Sequence, residues 1–218
     1  MTINRNLSQD MVPKSAAVAG GVMLIACGAL AREILAIKEA NKMSHLAITC
    51  LPAKLHNRPE QIAGAVREKI RQARTDGYQN ILVAYAECGT GGALDKILDE
   101  ENVERIAGPH CYAFFSGLRT FEAQADDDFN CFFLTDFLVR HFDRLVYEGL
   151  GLDRHPELRD MYFGNYTRVV YLAQQSDPDL LIKAKAAAEK LGLEFEHRQT
   201  GYGDLTRFVT EGASKWQN

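Results

Sequence analysis

Asn80-Ile81-Leu82-Val83-Ala84-Tyr85-Ala86-Glu87-Cys88-Gly89-Thr90-Gly91-Gly92 begins as an uncharged apolar run and ends in a glycine turn ahead of an amphipathic segment. The pattern predicts a buried strand over Asn80 to Ala86 and a helix over Thr90 to Glu100 that the turn opens. The same succession recurs upstream. Val22 to Cys27 reads as a strand and Ala29 to Ala40 as a helix, then Leu46 to Leu51 as a strand and Pro59 to Thr75 as a helix with proline in its first turn. Downstream, Val103 to Ile106 is a further short strand ending at Gly108-Pro109. Strands alternating with helices imply parallel pairing with right-handed crossovers, and so an α/β fold.

The second half repeats the theme less regularly. Cys111 to Leu118 and Asp136 to Gly149 read as helical around a strand at Cys131 to Leu134, and another helix begins near His155-Pro156. Arg168 to Ala173 is a strand, Pro178 to Leu191 an alanine-rich helix ended by Gly192, Leu193 to His197 a strand and Asp204 to Thr210 a closing helix. The expected organisation is a loose arm over 1–17, then two Rossmann-like halves, 18–125 and 126–218, each a mostly parallel sheet with flanking helices. Asp126-Asp127-Asp128 is the most linker-like stretch between them.

The chain has 218 residues, 46% of them hydrophobic, and a net charge of −4, which gives no basic field for nucleic acid. Five cysteines, an odd and dispersed set in a chain of this size, point to a reducing, cytoplasmic setting rather than to disulfides. Leu24-Ile25-Ala26-Cys27 resembles a lipoprotein cleavage box, yet an amphipathic helix follows at once and the apolar run is too short for a bilayer. It reads as a buried strand, with no membrane association expected.

Cys27, Cys88 and Cys111 each stand where a strand or its following loop ends. In an open parallel sheet such ends share one rim, where ligands bind. Thiolates there suit zinc, and His56, in a loop after the second strand, is the preferred fourth ligand. Free cysteine is also an ordinary small core residue, the reading given to Cys50 and Cys131, and both readings stay open for the rim three. His110 and Glu87 are candidate acid–base groups, although Glu87 equally suits a helix entry. Gly89, Thr90, Gly91 and Gly92 could hold a phosphate or carboxylate of a cofactor on backbone N–H groups, or form only a tight turn. Asp136 and Arg140 read as a solvated i,i+4 pair.

Taken together, Cys27-Gly28, Leu55-His56-Asn57-Arg58-Pro59, Glu87-Cys88-Gly89-Thr90-Gly91-Gly92 and Pro109-His110-Cys111 resemble the DUF1638 family, from about residue 20 to 200. Phe133-Leu134-Thr135-Asp136-Phe137-Leu138 and Gly149-Leu150-Gly151-Leu152-Asp153 resemble its bacterial branch. The resemblance implies a shared site at Cys27, His56, Cys88 and Cys111. The archaeal branch carries Asp in place of His110, which makes Cys111 the safer ligand. It further implies a role beside corrinoid-dependent one-carbon metabolism, with a corrinoid protein or methyltransferase subunit as partner. The Asp-x-His-x-x-Gly motif of corrinoid-binding domains is missing, so any corrinoid is expected on the partner. The expected function is a zinc-dependent methyl-transfer component; the alternatives are a metal or tetrapyrrole delivery module, or a scaffold that docks to a corrinoid protein.

Overall fold

The structure is a computed structural model and describes residues 21–216; the expected arm over 1–17 lies outside them. The fold is α/β, with two mostly parallel sheets flanked by helices. The chain divides into two compact units, 21–109 with 206–216, and 110–205. The sequence placed the division at 125/126, whereas compactness places it between Pro109 and His110. The acidic run belongs wholly to the second unit. There Arg198 grips the Asp128 carboxylate at 2.6 and 2.8 Å, Arg168 adds a contact at 3.1 Å, and Asp128 is only 7% exposed. Two guanidinium groups hold its carboxyl below the usual range, so this aspartate is an anchor where the sequence suggested a linker.

In the first unit the elements are β1 (Val22–Cys27), α1 (Ala31–Ala40), β2 (Leu46–Leu51), α2 (Ile62–Thr75), β3 (Asn80–Ala84), α3 (Ala93–Glu101) and β4 (Glu104–Arg105). The strand order is β2-β1-β3-β4, with each pair parallel. Short 3-10 turns at Gly28–Leu30 and Pro59–Gln61 precede α1 and α2, so each helix starts a few residues later than the sequence pattern suggested. Ile62, Val66, Ile70 and Ala73 recur at helical spacing and are buried. They pack with Ile25, Leu51, Val83 and Tyr85, which the pleat presents on one face of the sheet. Gly28 is required by a close approach: a Cβ there would stand 3.0 Å from the Leu51 carbonyl oxygen.

The second unit contains α4 (Cys111–Ser116), α5 (Leu118–Ala123), β5 (Cys131–Thr135), α6 (Asp136–Arg140), α7 (Arg159–Phe163), β6 (Arg168–Ala173), α8 (Pro178–Leu191) and β7 (Glu194–Gln199). Its sheet is parallel in the order β5-β6-β7. The division between units falls within the last helix, α9 (Gly203–Ser214). The long helix expected over Asp136 to Gly149 is broken at His141 and continues as a π turn over Asp143–Tyr147. Asp177 caps α8, accepting bonds from the Asp179 and Leu180 N–H groups, and Gly192 ends it in the left-handed conformation.

Candidate functional site

In the order β2-β1-β3-β4 the chain leaves β1 toward one edge and returns on β1's other side as β3. That reversal opens a crevice at the carboxyl ends of β1 and β3, the place where open α/β sheets bind ligands. Cys27 is the last residue of β1, and Cys88 lies in the loop after β3. Because Ala26 is in register with Ala84, the next residues, Cys27 and Tyr85, sit side by side across the switch point. Cys27, Tyr85 and Cys88 all pack against the α2–α3 core cluster.

The electrostatics match this placement. Burial pushes the Cys88 thiol up to about 12, and the neighbouring Cys27 adds to the shift. Burial likewise raises Cys27, against an opposing bond from the Ala29 N–H in the 3-10 turn that follows β1. The Tyr85 phenol is raised by burial first and then by Cys27. Its hydroxyl interacts with the Cys27 sulfur, which opposes the rise of the thiol and adds to that of the phenol. Even so, the oxygen has no partner at hydrogen-bonding geometry among the described residues, although Tyr85 is only 2% exposed. An unsatisfied buried hydroxyl costs about 1–3 kcal/mol.

Cys88 is held in an uncommon backbone state, φ 50°, within a loop whose Gly89, Gly91 and Gly92 also have positive φ. Glu87 ties this loop together by accepting bonds from the Gly89 N–H at 2.8 Å, the Thr90 hydroxyl at 2.7 Å and the Gly92 N–H at 3.1 Å. Those bonds hold the Glu87 carboxyl at about 2. Of the N–H groups expected to cradle a cofactor anion, those of Gly89 and Gly92 are engaged by the chain's own carboxylate and that of Thr90 by the Glu87 carbonyl. The Glu87 and Cys88 N–H groups donate to the Gly108 and Pro109 carbonyls, which fixes the loop from its other side.

His56 is exposed on the 3-10 turn Ala53–Asn57 that follows β2. Cys111 opens the second unit as the first residue of α4, with His110 as its N-cap. The His110 Nδ1 is buried without a hydrogen-bond partner among the described residues, and its ring lies 6.0 Å from that of Tyr112. Cys50 is in register with Ala26, so the pleat turns it to the face opposite Cys27. Cys131 is buried beside Asp128, 3.6 Å from its carboxylate. Among the described residues no group of three or more His, Cys, Asp or Glu side chains is arranged to hold a metal ion. Cys27 and Cys88 suit a thiophilic ion by donor type, and the complete ligand set is not drawn together among the described residues.

A buried group the sequence reading missed lies in the second unit. Asp136, read as solvated, is 0% exposed. Its Oδ1 accepts from the Tyr171 hydroxyl at 2.7 Å and the Gln174 N–H at 3.1 Å, and its Oδ2 faces Arg140 at 3.5 Å. The signal was available in the sequence: Asp136 directly follows the apolar strand Cys131–Thr135, so the strand carries it to the rim.

No described helix is long and apolar enough to cross a membrane. The model of a family described as a protein of unknown function, DUF1638, matches residues 50–209. No curated protein and no solved structure matches the chain. The match covers more than half of the chain, which therefore belongs to the DUF1638 family. The matched span holds His56, Cys88 and Cys111 and begins after Cys27, so the case for Cys27 rests on the structure.

Proposed function

We propose that this DUF1638 protein binds a thiophilic metal ion, zinc in the first instance, at the β1–β3 switch point through Cys27 and Cys88. The observation that carries the reading is the placement of two thiols on either side of the crevice, close enough for one to raise the other, beside an unsatisfied buried hydroxyl. His56 is the candidate third ligand within the first unit, since its other described histidine, His45, precedes β2 at the opposite edge of the sheet. Zinc held by three protein ligands keeps an open position and lowers the pKa of a thiol or water bound there. Methyl transfer to such a thiol, beside a corrinoid protein, is the reaction to assay once metal binding is established.

Loading must release protons, because both cysteines favour the neutral thiol. Affinity therefore falls as pH falls, which also suits the second reading, a module that takes up and hands on its metal. The test is the metal content of protein purified without tag or oxygen, for the unmodified chain, Cys27→Ala, Cys88→Ala and Cys131→Ala. Near-stoichiometric zinc kept by Cys131→Ala and lost by the other two variants supports the proposal. A folded protein that neither contains zinc nor takes it up overturns it and leaves the scaffold reading.

A further inference from the structure

We infer that a cleft at the carboxyl end of α8 receives a lysine or arginine side chain presented by a partner protein. The cleft belongs wholly to the second unit, so nothing in it depends on the metal reading.

It encloses about 380 Å³ between the π turn Asp143–Tyr147, the 3-10 turn Pro156–Leu158 with the first residues of α7, and the end of α8 at Leu191 and Gly192. That volume is at the small end of the range for ligand pockets and has room for one long side chain. Tyr147 and Pro156 offer apolar surface along which a hydrocarbon stem can lie.

The charges of the lining select a cation. Glu157, Asp160 and Glu189 stand against Arg159 and Lys190, and both cations are already committed within the chain. Arg159 donates from Nε to the Leu191 carbonyl at 2.7 Å, from Nη2 to the Gly192 carbonyl at 3.3 Å and from Nη1 to Asp160 at 2.7 Å. Lys190 lies 2.7 Å from Asp143, with its ammonium 3.7 Å from the centre of the Tyr147 ring. The carboxylates are less engaged: Glu157 is paired with the exposed His155 at 3.2 Å, and Glu189 makes no hydrogen bond or ion pair among the described residues. The fourteen-residue helix α8 adds its negative pole at this end. Lys190 displays the mode of recognition from within the chain, a carboxylate and a ring face together holding one ammonium.

The neighbours of the cleft point to a protein as the source of the cation. Met161 and Tyr162 directly follow Asp160 in α7 and are 65% and 40% exposed. A free amine would leave both in water, whereas a segment whose basic residue is flanked by apolar ones covers them.

The experiment presents an array of randomised hexapeptides to the full chain, to the double variant Glu157→Gln with Glu189→Gln, and to the control Glu122→Gln with Asp126→Asn, which removes the same charge from exposed positions elsewhere in the second unit. All four side chains are exposed, so the three unfolding midpoints should agree. Peptides retained by the full chain should be enriched in Lys or Arg beside apolar residues, and the best of them should bind the first variant at least about 5-fold more weakly and the control unchanged. Retention without that enrichment, or equal losses in the two variants, overturns the assignment. Binding of n-butylguanidinium chloride as tight as that of the best peptide also overturns it, and makes the cleft a site for a free organic cation.

Discussion

Each sheet buries a tyrosine near its carboxyl edge, and the two hydroxyls meet opposite fates. Tyr171 donates to a fully buried carboxylate that also takes the Gln174 N–H and faces Arg140, while the Tyr85 hydroxyl, beside the Cys27 thiol, has no partner at hydrogen-bonding geometry among the described residues. The second rim pairs its tyrosine with a carboxylate, although the Asp136 Oδ2, which faces Arg140 at 3.5 Å, and the Arg140 Nη1 have no hydrogen-bond partner among the described residues. The first keeps polar chemistry unfinished in a place that water does not reach. Replacing members of the two sets separates these roles, and Asp136→Ala is the most disruptive change. It strands Arg140, the Tyr171 hydroxyl and the Gln174 N–H at once, and breaking a buried ion pair from one side costs about 3–5 kcal/mol. Urea unfolding should show a loss of that size, and a loss below about 1 kcal/mol would mean that the network contributes little.

The two tyrosines themselves offer a paired test. Tyr171→Phe leaves the Asp136 carboxylate short of a donor and is expected to cost about 1–3 kcal/mol. Tyr85→Phe removes an atom with nothing to lose, so its unfolding free energy should stay level or rise. Equal losses in the two variants would erase the distinction between the rims.

How much of this was legible beforehand follows from what sequence patterns encode. The strands β1, β2 and β6 and the helix α8 fall where the apolar periods and turn residues put them, because each is a continuous pattern with strong end signals. The helix expected over Asp136 to Gly149 is broken at His141, where neither proline nor glycine marks a break in the sequence. The candidate site was half legible. Cys27 and Cys88 could be placed at strand ends from the order of elements alone. That Cys50 turns away depends on register, and that Glu87 fills its own N–H cradle depends on loop geometry. Tyr85 was hidden for a related reason: inside an apolar strand its ring reads as core, and only the fold shows that its hydroxyl lacks a hydrogen-bond partner among the described residues.

The loop that carries Cys88 sharpens the contrast through pH. Glu87 has its carboxyl lowered from 4.5 to about 2, so its bonds stabilise the fold fully above pH 4.5 and are lost as pH falls toward 2. Cys88 has its thiol raised from 9.0 to about 12, so the preference for the neutral form is fully present below pH 9 and is lost as pH rises through that interval. Unfolding midpoints measured across pH should show the advantage of the unmodified chain over Glu87→Gln shrinking on the acid side. Relative to Cys88→Ala, the unmodified chain should lose stability on the alkaline side. Differences that stay flat in both windows would separate these groups from the stability of the loop.

The smallest expected effect is also the most diagnostic of what the first rim is for. At φ 50° Cys88 occupies a conformation that costs a side-chain-bearing residue about 1–2 kcal/mol and costs glycine almost nothing. Three of the next four residues are glycines with positive φ, so a fourth would suit the loop. Cys88→Gly is therefore expected to recover up to about 1 kcal/mol, part of the relief being offset by the greater chain freedom of glycine when unfolded and by the thiol's lost packing. The same variant should bind no zinc. A gain in stability joined to a loss of binding would show that the cysteine is held at position 88 against the preference of the backbone, for a reason outside folding. A clear loss of stability would mean that the sulfur serves the core after all, and the first rim would then resemble the second.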